Sequence, residues 1–486
     1  MKIAFKSLAA LALLVLIAMT CCARMPPTAT ASSGHKKPQT TAFTNIKLVP
    51  MTGEKIVKDQ TVLVKGKKII KIGPSRDVKI PKDAMVIKGA GAYLMPGLAD
   101  MHMHTRPGWE TDPPVSPFKL YLANGVTTIR NFGPRGGSGE YVLRWRDEIK
   151  AGKRIGPAIY TCGPILYGPV ENPPEVVRTQ KDQGFDFIKL YSFLSKDEFH
   201  QAMATAKKLG IYTAGHIPFA VGLDGVLSEG MDEIAHIEEL DFEFLDFDRT
   251  KKLGRMAWFR YIMDLTLQQW SASFSLDMEA IDKRHGAAIA AVVAKVRAAR
   301  VPVCTTLVVG QVIVQKLSKP KAFLARPENA YLPPWHLEAF RRGEEKHLMM
   351  FKGYEAFAPF KYRMEQMLLR KLKQAGVRLL LSTDAGSGGM GIVPGFSLHD
   401  ELEILVRNGF TPYEAIAAGT INASKTIKAM IGKDDFGVIV EGKRADLILV
   451  NKNPLEDVAN IKELRGVMAA GRWYDKAALQ KMLTLP

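Results

Sequence analysis

His102-Met103-His104 sets two imidazoles two residues apart. In an extended strand residues i and i+2 point to one face, so both rings would look into the same space. Two neutral imidazoles on one face suit zinc and similar divalent metals. Lys189 lies in Phe185-Asp-Phe-Ile-Lys-Leu-Tyr191, an apolar run. Burial disfavours an ammonium and lowers its pKa, and a neutral amine can add carbon dioxide to give a carbamate, a carboxylate-like bridge between two metals. By itself the residue reads first as a lysine whose charged end snorkels from a strand end. His216 closes Tyr212-Thr-Ala-Gly-His and His236 closes Asp232-Glu-Ile-Ala-His; singly, each reads as a hydrogen-bonded structural histidine. Asp384 ends Leu379-Leu-Leu-Ser-Thr-Asp. A carboxylate there is costly unless it meets a cation or donors, and a helix N-cap is its other use. Tyr191, two residues beyond Lys189, shares its face. Its hydroxyl could orient a carbonyl or stabilise an oxyanion, or the ring could simply fill space. Arg106 and Arg130 are candidates for a substrate carboxylate, although arginines at strand ends more often make structural ion pairs. His399 reads as a supporting or helix-start residue.

These residues need elements to hold them. The stretch Thr61–Gly73 has two β-rich runs about a Gly-Lys turn, and residues 43–95 as a whole read as short strands. Beyond that, strands and helices alternate. Candidate strands are Leu98–His104, Gly125–Arg130, Ala158–Cys162, Phe185–Tyr191, Ile211–His216, Glu233–His236, Val301–Leu307 and Arg378–Asp384. Lys196–Leu209 and Arg284–Arg300 are the clearest helices. The pattern predicts an α/β fold with a (β/α)8 TIM-like barrel, and the histidines then fall at the C-terminal strand ends where barrel active sites lie. Leu240–Lys283 and Val308–Gly376 are too long for plain connections and read as helical insertions over the mouth. Trp258, Phe259, Tyr261, Trp270 and Phe274 lie in the first, to line a small pocket or, more often, to pack its helices. After Thr426 the chain returns to β, with runs at Gly437–Val440, Ala445–Val450 and Gly466–Tyr474. Both ends are expected to complete one small β-sandwich. The domain reading is 1–23 signal peptide, 24–42 flexible linker, 43–96 sandwich, 97–425 barrel and 426–486 sandwich again.

Taken together, His-x-His, Lys, His, His and Asp fall at the ends of strands one, four, five, six and eight. This order resembles the amidohydrolase superfamily over nearly all of residues 43–475. The resemblance includes Met95-Pro-Gly-Leu-Ala-Asp-Met-His-Met-His104, Thr127-Thr-Ile-Arg130, Thr411-Pro-Tyr-Glu-Ala415 and Gly442-Lys-Arg-Ala-Asp-Leu-Ile-Leu449. Within the superfamily it looks most like the imidazolonepropionase-related, prolidase-like hydrolases, with Ile188-Lys189-Leu190-Tyr191 as their type of fourth strand. The resemblance implies that His102, His104 and Asp384 hold the more buried of two divalent metals. His216 and His236 hold the second, and carboxylated Lys189 bridges them. Zinc is the default, and cobalt, manganese and iron also suit such a donor set. It implies hydrolysis of amide or peptide bonds in dipeptides or N-acyl amino acids, with Asp384 and Tyr191 in catalytic roles. One departure is Arg130-Asn131, where the family often has Arg-Asp; it alters a local salt link and removes no ligand.

Other readings keep the same metals: a cyclic-amide hydrolase or deaminase, or a lactonase or phosphotriesterase. Deaminases of this superfamily usually lack the bridging lysine, so Lys189 argues against them. A non-catalytic envelope binding protein is a third class, and the filled ligand positions argue against it.

The N-terminus bears on location. Lys2 and Lys6 precede Ser7–Met19, an apolar run of 13 residues. A bilayer needs about 20, so this is the pattern of a secretory signal peptide, with cleavage expected after Ala23. Cys21 and Cys22 raise a lipid anchor at the cell envelope as the alternative to a soluble periplasmic or extracellular protein. The 486 residues, 47% hydrophobic and 24% charged, exclude a mainly disordered or multi-span membrane chain. Four cysteines exclude a disulfide scaffold. The net charge of +18 comes without a basic run interleaved with aromatics, so no nucleic-acid partner is expected. The expected partner is a small-molecule substrate, and a homo-oligomer is left open.

Overall fold

In the computed structural model, residues 40–386 and 390–486 are described. The expected signal peptide and most of the expected linker lie outside the described residues, and the first strand, Thr40–Leu48, already starts inside the linker's last three positions. Gln39–Pro486 is one compact unit. Among the described residues no helix is long and apolar enough to cross a membrane.

The second and third strands form a hairpin. Val57–Lys65 and Lys68–Pro74 pair antiparallel, with Lys65 opposite Lys68 and Val62 opposite Ile72. Gly66 in the turn has φ 57°, a conformation open to glycine at little cost. Thr40–Leu48 pairs antiparallel with Val57–Lys65 and parallel with Met85–Lys88 and Tyr93–Pro96. The returning end then adds Leu447–Val450, Leu464–Ala469 and Arg472–Asp475 in order beyond Tyr93–Pro96. Both ends therefore build one β unit. Its hydrogen bonding runs through an eight-stranded sheet rather than the two separate sheets of a sandwich. A bridge between Lys68 and Arg444 brings the edge strand Lys68–Pro74 back to the segment that leads into Leu447–Val450, and Phe43, Leu94, Leu447 and Met468 share one buried cluster. Gly437–Val440, expected as a strand, is irregular: Gly437 has φ 80°, and Ile439 N donates to Pro50 O at 2.9 Å.

Between these ends lies an α/β region with parallel sheets. Leu98–Thr105, Val126–Pro134 and Ala158–Thr161 form a three-stranded arc. Phe187–Leu190, Tyr212–Gly215, Glu233–Ile234, Val303–Cys304 and Leu379–Leu380 form a five-stranded arc. The arcs meet at Cys162 and Phe187, and again at Met103 and Ala385. At the second seam Met101 N donates to Leu381 O at 2.9 Å and His104 N to Ala385 O at 2.8 Å. The later strands are shorter than expected because the chain leaves the ladder early. Ser382 Oγ, for instance, donates to Leu380 O at 2.9 Å and accepts from Thr305 N at 3.0 Å.

Helix Lys196–Leu209 has its expected bounds: Ser195 and Glu198 form a capping box and Gly210 ends it at φ 60°. The helix expected at Arg284–Arg300 starts earlier, at Met278, where Asp277 caps the N–H of Ala280. Both long intervals are helical, as in Arg255–Trp270, Leu307–Ser318 and Phe357–Gln374. Their aromatics mostly pack. Trp258 sits 5.5 Å from the Phe219 ring and Trp270 sits 5.8 Å from Phe360.

Candidate metal centre

All eight residues of Leu98–Thr105 are buried. Within that strand His102 Nδ1 faces Ala235 O at 3.0 Å and His104 Nδ1 faces Gly133 O at 2.9 Å. A proton on each Nδ1 leaves the Nε2 lone pairs free, and the two Nε2 atoms stand 3.3 Å apart, looking at one point. Asp384 comes to the same point from the turn after Leu379–Leu380. Its Oδ1 is 3.1 Å from His104 Nε2 and 3.6 Å from His102 Nε2. Its N–H donates to His102 O at 2.8 Å. Asp384 has φ 58°, a left-handed conformation that an aspartate adopts only where its surroundings dictate it. The ligand atoms of His102, His104 and Asp384 all lie within 4.8 Å of one another, a group that could hold a metal ion.

Four further residues named from the sequence lie around this cluster. The His236 ring lies 4.3 Å from His102 and 4.9 Å from His216, and its Nδ1 faces Thr306 Oγ1 at 3.0 Å. Lys189 is fully buried, with Nζ 4.6 Å over the Phe132 ring and no hydrogen-bond partner among the described residues. The Tyr191 ring lies tilted against His216, 4.1 Å away.

The electrostatics suit ligation. Burial first, then neighbouring positive groups, holds His102 and His216 well below the usual imidazole range. Burial also takes His104 down to about 4 and His236 to about 3. All four rings are therefore neutral near pH 7. Burial pushes Asp384 upward, yet His104 beside it, with His236 and Arg135, outweighs that and keeps it ionised below the usual carboxylate range. Burial lowers Lys189 to about 8, against the pull of Asp384 and Glu239. Neutral imidazoles, an ionised carboxylate and an unpartnered buried amine are a donor set that fits divalent metal.

Not every candidate belongs here. Arg130 is buried and holds Glu233 through both guanidinium nitrogens, with Nη1 to Oε2 at 2.8 Å, so it is a structural ion pair. Arg106 pairs with Asp112. His399, in the first turn of Phe396–Arg407, donates from Nε2 to Asn124 O at 3.0 Å. Asn131, the departure from the family pattern, joins three strands: Oδ1 accepts from Thr105 N and Nδ2 donates to Thr161 Oγ1, both at 2.9 Å.

Two residues near the cluster were missed from the sequence. Glu239 Oε1 pairs with His216 Nδ1, and its Oε2 accepts from Ile217 N at 3.0 Å. Burial and the neighbouring Glu238 push Glu239 up to about 7. Its only sequence signal is an acid in the short run after His236. Arg135 Nη2 is 3.4 Å from His104 Nε2, and Nη1 donates to Tyr167 Oη at 2.9 Å. Its signal is an arginine inside the glycine-rich turn Gly133-Pro-Arg-Gly-Gly137 directly after a strand.

Comparison with known proteins agrees with this geometry. Residues 345–474 match the amidohydrolase family. A stretch of 95 residues is 37% identical to an ochratoxinase of Aspergillus niger, covering 19% of this chain and only 18% of that protein. An imidazolonepropionase of Alkaliphilus metalliredigens is 23% identical over 415 residues, 82% of this chain and 85% of its own. The fold is similar to that of a Xaa-Pro dipeptidase solved with methionine in its active site, at a TM-score of 0.60 and 19% identity, covering 90% of this chain and 100% of that one. The family match spans the turn that delivers Asp384 and the returning β strands, and the likeness of fold takes in the strands that deliver the histidines.

Proposed function

We propose that this protein is a metal-dependent hydrolase of carbon–nitrogen bonds, acting on dipeptides or N-acyl amino acids. The observation that supports the reading is the cluster of His102, His104 and Asp384 ligand atoms, with the rings of His236 and His216 in succession beside it and the Lys189 amine buried over Phe132. The two arcs are read as one closed (β/α)8 barrel, whose C-terminal face is where such sites are built. In the proposed assignment His102, His104 and Asp384 would hold one divalent metal and His216 and His236 a second, with zinc the default. Lys189 would bridge them as its carbamate. The neutral amine adds carbon dioxide, forming an N–C bond and releasing one proton, and burial favours that neutral amine.

When bound, a metal pair lowers the pKa of a water molecule and polarises the substrate carbonyl. The chain's own groups do the rest. Asp384, held ionised, accepts the proton from the attacking water and passes it to the leaving nitrogen, which departs poorly as an anion. Tyr191, whose phenol burial keeps protonated, is placed to donate to the developing oxyanion. Glu239, beside His216, orients that ring.

A deaminase or a lactonase would use the same ligands. The lysine supports the amide reading over the first, and the need for a proton donor to a leaving nitrogen favours it over the second. The test is steady-state hydrolysis of dipeptide and N-acetyl amino acid libraries beside lactones and phosphotriesters. Preference for an amide, abolished by chelation and restored by zinc or cobalt, is expected. Preference for lactones or phosphotriesters by orders of magnitude in kcat/KM would overturn it. The proposal includes export, supported by the basic start and the apolar run Ser7–Met19. N-terminal sequencing should find a chain starting at or soon after Cys21, and a retained Met1 would refute it.

A further inference from the structure

We propose that Arg135 binds the free carboxylate of the substrate and so confines this site to amides that carry a terminal acid; the inference rests on the amide-hydrolase reading above. The backbone of Arg135 is tied to the strand of the histidines, its N–H donating to Thr105 O at 2.7 Å. Gly133, Gly136 and Gly137 around it all have positive φ, of 115°, 100° and 73°, and make a turn that aims the side chain inward. The guanidinium then lies against the ligand cluster, with Nη2 3.4 Å from His104 Nε2. That places it beside the ligand cluster, and a carboxylate on the α-carbon next to a scissile amide lies one backbone unit from the carbonyl under attack.

The charge of Asp384 reaches Arg135 and offsets part of its burial, but does not close on it as an ion pair. Among the described residues no carboxylate forms an ion pair with it, whereas Arg106 and Arg130 are engaged by Asp112 and Glu233. Its fixed neighbour is neutral: Nη1 donates to Tyr167 Oη at 2.9 Å, and Nε is buried with no partner. Tyr167 packs 4.5 Å from Tyr191, so one wall joins the guanidinium to the proposed oxyanion donor. Lys346 lies near enough to Arg135 and Asp384 for their charges to act on it. Its helix is set by Glu345, which caps the N–H groups of His347 and Leu348 and accepts from buried Lys316 Nζ at 2.7 Å. A permanent cation beside a site for divalent metals is costly unless an anion arrives, and a guanidinium fork matches a carboxylate in a bidentate pair.

The experiment pairs N-acetyl amino acids with their C-terminal carboxamides and compares wild type with Arg135→Gln and Arg135→Lys. In wild type the free acid should be preferred in kcat/KM by about 100-fold, as expected for a partly desolvated charge pair. In Arg135→Gln that ratio should fall to near one, chiefly through KM, and Arg135→Lys should keep part of it. Metal content by elemental analysis should be unchanged in both. A calorimetric arm titrates free L-amino acid and amino-acid amide into each protein; the acid should bind more tightly to wild type only. An unchanged acid preference in Arg135→Gln, or an equal loss on both substrates, would overturn the assignment. If wild type cleaves neither substrate, the amide-hydrolase reading fails, and the calorimetric arm still decides for or against Arg135.

Discussion

Thr383 Oγ1 donates to Asp100 Oδ2 at 2.6 Å, and this bond ties the strand of His102 and His104 to the turn of Asp384. Asp100 also accepts from Thr383 N at 3.2 Å, from Tyr121 Oη at 3.2 Å and from His102 N at 3.3 Å. Burial pushes its carboxyl up to about 7, against these hydrogen bonds. One buried acid therefore sets the spacing of three proposed ligands that lie far apart in the chain.

Replacing Thr383 by valine should loosen that spacing. The shape is kept, but a buried acceptor loses its donor, at a cost of about 1–3 kcal/mol. Metal affinity should drop roughly 10- to 100-fold, as for other groups that orient ligands. Metal titration and thermal melting of the variant check both numbers. Unchanged affinity would mean that Asp100 only fills the core.

Lys189→Ala should lose most of the activity and one metal per chain, because the proposed bridge is gone. Small carboxylates such as acetate should restore part of the activity by occupying the same place. Two metals retained in the variant would show that the amine is not a ligand.

Asp384→Asn should keep some metal and lose turnover by about 100-fold or more, because an amide cannot carry the proton to the leaving nitrogen. Single-turnover kinetics with bound metal quantified in the same sample separates this from simple metal loss. Turnover in proportion to metal content would assign Asp384 to ligation alone.

Glu233→Gln should be a stability variant. It leaves buried Arg130 without its charge partner, and breaking such a pair costs about 3–5 kcal/mol. Denaturant unfolding should show this loss, while folded protein at low temperature keeps its metal and its kcat.

Stability should fall with acid through His399. Burial, with Lys462 nearby, lowers its folded value to about 4 from an ordinary 6.5. Between these values the unfolded chain binds more protons than the folded one, so stability rises with pH across that window. The contribution is fully present above about 6.5 and is lost as pH falls toward 4, up to about 3 kcal/mol. His399→Gln should flatten that part of the pH–melting profile relative to wild type. An unaltered slope would place the acid sensitivity elsewhere.

The proposed ligands were legible in the sequence only as a set, from their order along successive strands, although the period of a strand by itself puts His102 and His104 on one face. The alternation of strands and helices was legible for the same local reason, down to the capping box of Lys196–Leu209. What the linear pattern left open was partnership. Whether Arg106, Arg130 or Arg135 is available to a substrate depends on which acids lie across the fold from each, and Glu233 reaches Arg130 from a strand distant in sequence. The joining of both ends into one eight-stranded sheet depended on the register between Leu447–Val450 and Tyr93–Pro96. The low pKa of Lys189 is a property of its burial over Phe132, with no partner for its amine. Local sequence determined which side chains could do chemistry and which way each strand presents them; only the tertiary structure decided which charges remain unpaired, because pairing and desolvation arise between segments that the chain order keeps apart.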